Sequence, residues 1–319
     1  MAGDLTGWLL ALLQTLLFIG SAPLLTGWVK VVKCRLQNRA APSVLQPYRD
    51  LRKLFRKEVV LAANASWIFR SSPYILLGAM VLAAAVVPLI AVHLPTAVIA
   101  DVIVLVGFFA LGRFFLALAG MDIGTAFGGM GSSREMSISS LTEPAMLMAV
   151  FTLAMTASTT NLETVVQYIL DQGLVLRPSF VFAILAVMMV AVAETGRIPI
   201  DNPATHLELT MIHEAMVLEY SGRHLALIEW AAQIKLMIYG VLVANIFFPW
   251  GIATQATAAT LLVGILAIAA KLALLGIVLA ISETLVAKMR LFQVPRFLSI
   301  AFLLALLSML SHVILETGG

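Results

Sequence analysis

Residues 194–222 read ETGRIPIDNPATHLELTMIHEAMVLEYSG, a charged stretch that separates two long apolar runs. The whole chain is 61% hydrophobic and 12% charged, so five acidic side chains in so short a stretch are unusual for it. Pro199 and Pro203 prevent one helix from running through the stretch, because proline interrupts the hydrogen bonds of a helix interior. We expect an irregular loop at which a membrane-embedded bundle meets a working partner.

The class of protein follows from the rest of the chain. Its 319 residues have a mean hydropathy of +1.01, which gives more apolar surface than a water-facing fold could bury. The apolar runs are long and continuous instead of alternating, which indicates helices and not the strands of a barrel. We predict an all-α integral membrane protein, a bundle of about eight transmembrane helices that forms one domain over residues 1–319.

Eight apolar runs are long enough to cross a bilayer, which takes about 20 residues. They lie near residues 5–29, 73–93, 99–119, 142–160, 176–195, 226–248, 258–286 and 297–315. Ten basic residues follow the first run and three follow the seventh, whereas the connections on the opposite side hold almost none. Because basic loops stay in the cytoplasm, we predict both termini on the outer side and the segments 33–60 and 195–224 in the cytoplasm.

Several function classes are excluded at this stage. An isoelectric point near 9.1 could indicate nucleic-acid binding, but the basic residues lie beside apolar runs, where they orient a membrane protein. The single cysteine, Cys34, excludes a disulfide framework and a cysteine-ligated zinc or iron–sulfur site within this chain. We predict no nucleic-acid partner, and no metal or other cofactor in the chain itself.

Residues 48–60 read YRDLRKLFRKEVV. On a helix this spacing places Tyr48, Leu51, Phe55 and Val59 on one face, with basic side chains around the rest. Such a helix suits the membrane interface. Two interpretations stay open. One is simple attraction to anionic lipid, and the other is docking of a partner protein through Arg39, Tyr48, Arg49, Asp50, Arg52 and Lys53.

Glycines recur every four residues after the third apolar run, at Gly120, Gly124 and Gly128. Small residues at this spacing allow close contact between helices. A phosphate cradle is the alternative, but no Gly-Lys-Ser or Gly-Lys-Thr sequence follows. We therefore predict packing and loop roles for these glycines.

Ionisable side chains at membrane depth are a second group of candidate functional residues, because each costs about 2.5 to 3.5 kcal/mol on insertion scales. Those within or at the ends of the predicted spans are Arg113, Glu143, Glu194, Glu229, Lys235, Lys271 and Glu283. The predicted loop after the third span adds Asp122, Arg134 and Glu135. Together they could form a chain of carboxylates and bases from the cytoplasmic loops towards mid-membrane.

Paired carboxylates and bases in a low dielectric are suited to proton relay, since a change in the partner's distance changes how tightly a carboxylate holds a proton. Static ion pairs that fix the register of the helices are the alternative. The relay interpretation is favoured for Glu143, Glu194 and Glu229, and both interpretations stay open for Lys235 and Lys271.

Within the charged stretch, Glu194 and Arg197 are three residues apart at a helix end, close enough to pair on one face. His206 and His213 would lie two turns apart on a helix. A metal site would need more converging ligands, and no His-Glu-x-x-His sequence is present. We predict histidines that titrate or form hydrogen bonds.

The charged stretch resembles a segment of the membrane subunit known as 1 or H in respiratory complex I, and of its relatives in membrane-bound NiFe hydrogenases. The complex I pattern reads approximately ETNRAPFDLPEGESEL followed by VEYSG. The positions that match it here are Glu194, Arg197, Pro199, Asp201, Pro203, Glu208, Leu209, Glu219, Tyr220, Ser221 and Gly222. CRLQNRAAPSVLQPYRDLRKL at residues 34–54 and GSSREMSISSLTEP at residues 131–144 are similar to two further family segments, so the likeness covers nearly the whole chain.

The departures from complex I favour one branch of the family. Ala204 and His206 stand where complex I has two further acids. The sequence YRDLRKL and the pattern LxGxDxGxxFxxxGxSRE, which includes Asp122 and Glu135, are similar instead to the formate hydrogenlyase and hydrogenase-4 type of subunit. The resemblance thus favours a membrane-bound NiFe hydrogenase complex, with an ordinary complex I subunit as the alternative.

The resemblance implies a subunit of a prokaryotic inner membrane without a redox centre of its own. In the family such a subunit anchors a soluble arm, here a NiFe large subunit and an iron–sulfur small subunit. It also begins a carboxylate pathway towards antiporter-like membrane subunits. In complex I its inner loops help to form a quinone chamber, which a hydrogenase does not require.

The charged stretch supplies further expected site residues under this resemblance. Those expected to take part in coupling, besides the groups at depth, are Arg197, Asp201, Glu208 and Glu219. Those expected to contact a partner are His206, His213 and Tyr220.

Overall fold

The computed structural model describes residues 2–92, 94–172, 177–201, 211–255 and 257–316. Helices account for nearly all regular structure in these ranges. The α-helices are α1 (Ala2–Leu36), α2 (Gln46–Phe55), α3 (Trp67–Val86), α4 (Val102–Asp122), α5 (Ala126–Ala157), α6 (Leu162–Gln172), α7 (Pro178–Glu194), α8 (His213–Val217), α9 (Gly222–Leu242), α10 (Ala258–Leu285) and α11 (Val294–Ser311). There are also 3-10 turns at Pro95–Ile99 and Leu291–Gln293, and π-helical turns at Val243–Phe247 and His312–Glu316.

The predicted fold class, an all-α membrane protein, is confirmed. Within the described ranges, seven helices are long and apolar enough to cross a membrane. They are Leu5–Leu36, Trp67–Val86, Val102–Asp122, Ala126–Ala157, Gly222–Phe247, Ala258–Leu285 and Leu291–Leu315. The fifth predicted span, 176–195, corresponds to α7, which has 17 residues and is therefore only about 26 Å long. The prediction of eight full spans is corrected to seven long helices and one short one.

Helix α5 begins sixteen residues earlier than the predicted fourth span. Its polar first half is stable as a helix because small side chains there face neighbouring helices. Ser132, for example, is fully buried and donates a hydrogen bond to the carbonyl of Ala117 on α4 at 2.8 Å. Arg134 and Glu135 therefore lie on a helix and not in a loop, which corrects the prediction.

The glycines between α4 and α5 pack the two helices closely. A Cβ atom on Gly128 would overlap the carbonyl group of Gly120. Gly124 has a φ of +73°, a conformation that favours glycine, at the turn between the helices. The predicted packing and loop roles are confirmed.

Helix α2 lies on the protein's own helices. The Tyr48 hydroxyl donates a hydrogen bond to the carbonyl of Gly20 on α1, and the rings of Phe55 and Trp230 meet edge-on with centroids 6.3 Å apart. The helix ends at Phe55, so Val59 is not on its apolar face as predicted. Helix α2 ends there because the residues that follow it, Glu58 and Val60, are held against Ser221 and Gly222 at the start of α9.

Successive spans run in opposite directions. Helices α1, α4, α7 and α10 end, and α3, α5, α9 and α11 begin, at one end of the bundle, which we call the basic end. Helix α9 lies in the core, with Ile228, Ile234 and Ile238 fully buried. Lys235, in the second half of α9, is therefore largely covered by protein, whereas Arg223, at its start, is exposed.

Candidate functional site

Five ionisable side chains from four helices meet inside the bundle, and we call them the central ion cluster. Arg113 is 5% exposed and donates through Nη1 to Glu143 Oε1 at 2.8 Å and through Nη2 to Glu194 Oε2. Its Nε lies 3.5 Å from Glu135 Oε1. Lys235 Nζ lies 2.8 Å from the same Glu194 oxygen that Arg113 contacts. Glu194 is thus held between two cations.

The cluster lies at membrane depth because α7 is short. Lys235 is thirteen residues after Gly222, the first residue of α9, which is about 20 Å along the helix axis. Glu194 is the last residue of α7. Gly196, with a φ of +59°, turns the chain out of the helix at once. The irregular backbone that follows therefore lines the interior of the bundle, the place where such backbone is tolerated in a membrane.

The charges of the central ion cluster do not balance. Two cations face three carboxylates, so the fully ionised set carries one negative charge in excess, which a single proton would neutralise. Thr142 donates to Glu194 Oε1 at 2.6 Å, so both oxygens of Glu194 have donors. The Glu143 side chain is 35% exposed, whereas that of Glu194 is 3% exposed. A buried charge is stable only with its partners, so the set folds as one unit.

A cavity of about 80 Å³ connects the cluster with the charged stretch. Arg113, Glu194 and Lys235 line one part of it, and Asp201 and His213 line another. A buried water occupies roughly 30 Å³ and needs two to four polar partners, so the cavity has room and partners for a short water chain. Groups of the charged stretch and groups of the bundle therefore line one cavity.

Asp201 ties the segment after α7 to two other elements. It is 2% exposed and accepts hydrogen bonds from the backbone N–H groups of Ile212 at 3.1 Å and His213 at 3.3 Å. Lys288 Nζ, in the segment after α10, lies 3.8 Å from its other oxygen. A displacement of this segment therefore acts on α8 and on the end of α10.

A second ion cluster lies at the basic end. Glu283 of α10 accepts from Lys33 of α1 at 2.7 Å and from Arg197 at 2.8 Å. Arg197 was expected to pair with Glu194. The structure corrects this, because the chain leaves the helix at Gly196 and the guanidinium points to Glu283 instead.

Two other predicted coupling residues form hydrogen bonds with backbone groups. Asp122 accepts a hydrogen bond from the N–H of Ser66, before α3, at 2.8 Å. Arg134 donates to the carbonyl of Met211 at 2.9 Å. Both fix the connections at the basic end, and neither contacts the central ion cluster.

The remaining candidates lie apart from one another. Lys271, near the midpoint of α10, donates to Asn245 Oδ1 at 3.3 Å. Glu229 of α9 is half-buried. Glu219 is exposed. Predicted residues Glu208 and His206 lie outside the described ranges.

Most of the predicted partner-docking residues form an exposed basic surface on and before α2. Its exposed members are Arg39, Arg49, Asp50, Arg52 and Lys53. Tyr48 is half-buried on the opposite face of the helix, and burial raises the pKa of its hydroxyl. A partner can reach the basic side chains without displacing α2 from the bundle.

Tyr220, predicted to contact a partner, is buried and packs against α3. It is 4% exposed, its ring stacks on Phe69 with centroids 3.9 Å apart, and its hydroxyl donates to the Phe69 carbonyl at 2.9 Å. Burial raises the pKa of this hydroxyl. The side chain joins α3 to the start of α9 and presents no surface to a partner.

The first basic loop is fastened to the start of α9 by a contact that we call the loop clamp. The N–H of Val60 donates to Ser221 Oγ at 2.8 Å, and Ser221 Oγ donates to the Val60 carbonyl at 3.0 Å. Gly222 has a φ of +54°, and a Cβ there would overlap the carbonyl of Glu58. The segment after α2 and the end of the charged stretch therefore move together.

Sequence analysis missed two polar residues at membrane depth. Thr142 completes the hydrogen bonds of Glu194. Gln14, 5% exposed on α1, accepts from the backbone N–H groups of Ile90 and Ala91. The available signal for Gln14 was an amide side chain in a largely apolar span. As for metals, no group of three His, Cys, Asp or Glu side chains in the described ranges could hold an ion.

The fold and these sites define a multi-pass helical membrane protein with ion clusters buried between its helices. A family model described as NADH dehydrogenase matches residues 9–314, and the chain belongs to this family. The resemblance stated from the sequence is therefore confirmed.

Similar proteins include subunits of two hydrogenase systems. The chain is 33% identical to formate hydrogenlyase subunit 4 of Escherichia coli (strain K12), over 94% of this chain and 97% of that protein. It is 32% identical to hydrogenase-4 component C of the same organism, over 93% of each. The NADH-quinone oxidoreductase H subunit of Paraburkholderia xenovorans (strain LB400) is 28% identical, over 70% of this chain and 65% of that protein.

A solved structure shares the fold. A chain of the membrane-bound sulfane sulfur reductase, an archaeal respiratory membrane complex, superposes with a TM-score of 0.78. The alignment covers 96% of this chain and 99% of that one at 20% identity. Relatives of the chain are thus membrane subunits of hydrogenase-type and complex I-like complexes.

Proposed function

We propose that the chain is the membrane anchor and energy-coupling subunit of a membrane-bound NiFe hydrogenase complex. In this role it links a soluble arm, made of a NiFe large subunit and an iron–sulfur small subunit, to antiporter-like membrane subunits. The iron–sulfur clusters and the NiFe centre belong to those partners. Identities of 33% and 32% to formate hydrogenlyase subunit 4 and hydrogenase-4 component C support this branch.

The observation that carries the proposal is the excess negative charge of the central ion cluster beside a cavity that reaches the charged stretch. Glu194 contacts two cations, so a change in its distance from Lys235 would bind or release a proton. Asp201 and His213, at the other part of the cavity, belong to the segment that a docked arm would displace. Work by the arm is thereby converted into proton movement in the bundle.

In this proposal the basic surface of α2 receives the soluble arm. The arm then acts on the segment 195–201 and on α8, and the central ion cluster passes the effect to neighbouring membrane subunits. The chain lies in a prokaryotic inner membrane, with the basic end in the cytoplasm and both termini on the outer side. Membrane lipid surrounds the apolar faces.

The test separates coupling from assembly. Glu194→Gln and Glu143→Gln keep side-chain size and remove the titrating group. In inverted membrane vesicles that contain the whole complex, we expect hydrogenase turnover to continue while turnover-linked proton uptake falls at least about 100-fold, the lower end of what one proton-transfer group contributes. Glu229→Gln tests the half-buried carboxylate of α9 in the same way.

The matched control is Glu163→Gln on α6. Glu163 is also a buried carboxylate, at 7% exposure, but it lies at the opposite end of the bundle from the basic end. This variant should couple normally. Unchanged coupling in the Glu194, Glu143 and Glu229 variants would reject the proposal, and loss of assembly alone would indicate a purely structural scaffold.

A second candidate function is that of the corresponding membrane subunit in a donor:quinone oxidoreductase, where it would contribute to a quinone chamber. The 28% identity to a subunit of NADH-quinone oxidoreductase favours it. It predicts that a photoreactive quinone analogue labels the segment 39–48 or the segment after α7. Absence of labelling in the active complex would remove this candidate, and nickel in the purified complex would favour the first.

A further inference from the structure

A deep apolar groove, separate from the cavity beside the central ion cluster, opens between the helices. Its volume is about 340 Å³. Five helices contribute to its walls, with representative residues Val29 on α1, Val192 on α7, Gly240 on α9, Leu279 on α10 and Phe297 on α11. Most of the lining side chains are aliphatic, so the groove favours an apolar occupant.

The dimensions of the groove fit one acyl chain. Its walls follow α10 from Leu272 to Val286, fourteen residues or about 21 Å along the axis. One leaflet of the hydrocarbon core is about 15 Å thick, so the groove extends from the basic end to about mid-membrane.

Two basic residues are close in sequence to residues at the basic end of the groove. Arg296 precedes the lining residue Phe297, and Arg290 follows Met289, whose N–H donates to the carbonyl of the lining residue Pro199 at 2.9 Å. Both arginines are exposed. The neighbouring second ion cluster adds two cations against one carboxylate. This end of the groove therefore carries a net positive charge.

Exposed apolar side chains stand beside these arginines. Phe292 is 92% exposed and Leu285 is 79% exposed. Apolar and basic side chains exposed together are typical of protein that lies at the level of lipid headgroups. The mouth of the groove is thus at the height of a phospholipid phosphate.

We propose that the groove binds one anionic glycerophospholipid of the leaflet at the basic end. One acyl chain lies in the groove against α7, α9 and α10, and the phosphate lies beside Arg290 and Arg296. The bound chain closes the gap between α10 and α7, next to buried Tyr239, and separates the central ion cluster from bulk lipid. This inference does not depend on the proposed coupling role.

The test uses the full chain in nanodiscs of equimolar dioleoylphosphatidylglycerol and dioleoylphosphatidylcholine, followed by extraction into mild detergent and native mass spectrometry. We expect about one retained phosphatidylglycerol per chain. Arg290→Gln with Arg296→Gln should lower the preference over phosphatidylcholine about 25-fold, since each basic residue near the surface contributes about fivefold.

Two alanine variants test the groove itself. Ala191→Phe places a ring in the groove, and we expect retention to fall at least tenfold. Ala270→Phe places the same ring on the exposed face of α10, outside the groove, and should leave retention unchanged. Should Ala191→Phe fail to fold, the arginine pair still decides the matter.

Three results would overturn the inference. They are equal retention of both lipids by the unaltered chain, undiminished retention in the folded Ala191→Phe variant, and a stoichiometric quinone extracted from native membranes in place of phospholipid. The last would instead assign the groove to an isoprenoid tail.

Discussion

Removal of the Arg113 guanidinium is the most direct perturbation of the central ion cluster. Arg113→Met keeps the length and apolar volume of the side chain but removes two charged hydrogen bonds, to Glu143 and Glu194, and a weaker contact to Glu135. At about 1.5 to 3 kcal/mol for each charged hydrogen bond, the loss is about 3 to 6 kcal/mol. Measured costs of breaking a buried ion pair, about 3 to 5 kcal/mol, agree.

A loss of this size is a large part of the total stability of a folded protein, about 5 to 15 kcal/mol. We expect Arg113→Met to lower the thermal midpoint of the detergent-solubilised complex and the amount of chain in the membrane. The double variant Arg113→Met with Glu194→Gln should recover part of the loss, because it removes the carboxylate left without its guanidinium. The assay is a thermal unfolding series on the single variants and the double variant.

The control for this series is Arg70→Met, the same chemical change at an exposed arginine of α3, which should alter stability by less than about 0.5 kcal/mol. Two outcomes would refute the reasoning. One is equal stability of the Arg113 and Arg70 variants. The other is a double variant no more stable than Arg113→Met alone, which would mean that the buried carboxylate is not destabilised by losing its partner.

Three further predictions concern other parts of the molecule. Gly128→Ala should separate α4 from α5, which should cost about 1 to 3 kcal/mol of stability and lower the thermal midpoint. Gly129→Ala should leave the midpoint unchanged, because a Cβ atom there meets no atom within 4 Å. Burial raises the pKa of Glu163 from 4.5 to about 7, so the folded protein holds a proton that the unfolded chain releases. Stability should therefore fall as the pH rises from about 4.5 to 7 in a pH series of thermal midpoints, and Glu163→Gln should remove that component. Tyr220→Phe should lower the free energy of unfolding by about 1 kcal/mol, because it removes one hydrogen bond. A larger loss of stability that does not vary with pH would contradict this assignment.

The sequence alone was enough to predict a helical membrane protein, because the hydropathy signal extends over the full length of each helix. Apolar runs of about 20 residues have few alternatives to a transmembrane helix. The boundary of α5 was missed for a local reason. Its polar, glycine-containing first half has the composition of a loop, and it is stable as a helix only because α4 covers residues such as Ser132.

Sequence identified the members of the central ion cluster but not their pairs. Arg113 and Glu194 are 81 residues apart, and nothing in the intervening sequence specifies that their side chains meet. The local expectation, Glu194 with Arg197, assumed that the helix continues for another turn. Gly196 ends it, which sends Arg197 to Glu283.

The loop clamp joins the segment after α2 and the start of α9, both at the basic end, so that the two segments move as one. Val60 and Ser221 exchange two hydrogen bonds, and Gly222 fits against Glu58 with no space to slide. A protein pulling on α2 must either break this joint or rotate the base of α9. Lys235 is on the same helix, α9. A displacement of the start of α9 would therefore be transmitted about 20 Å along the helix to the ammonium group that contacts Glu194.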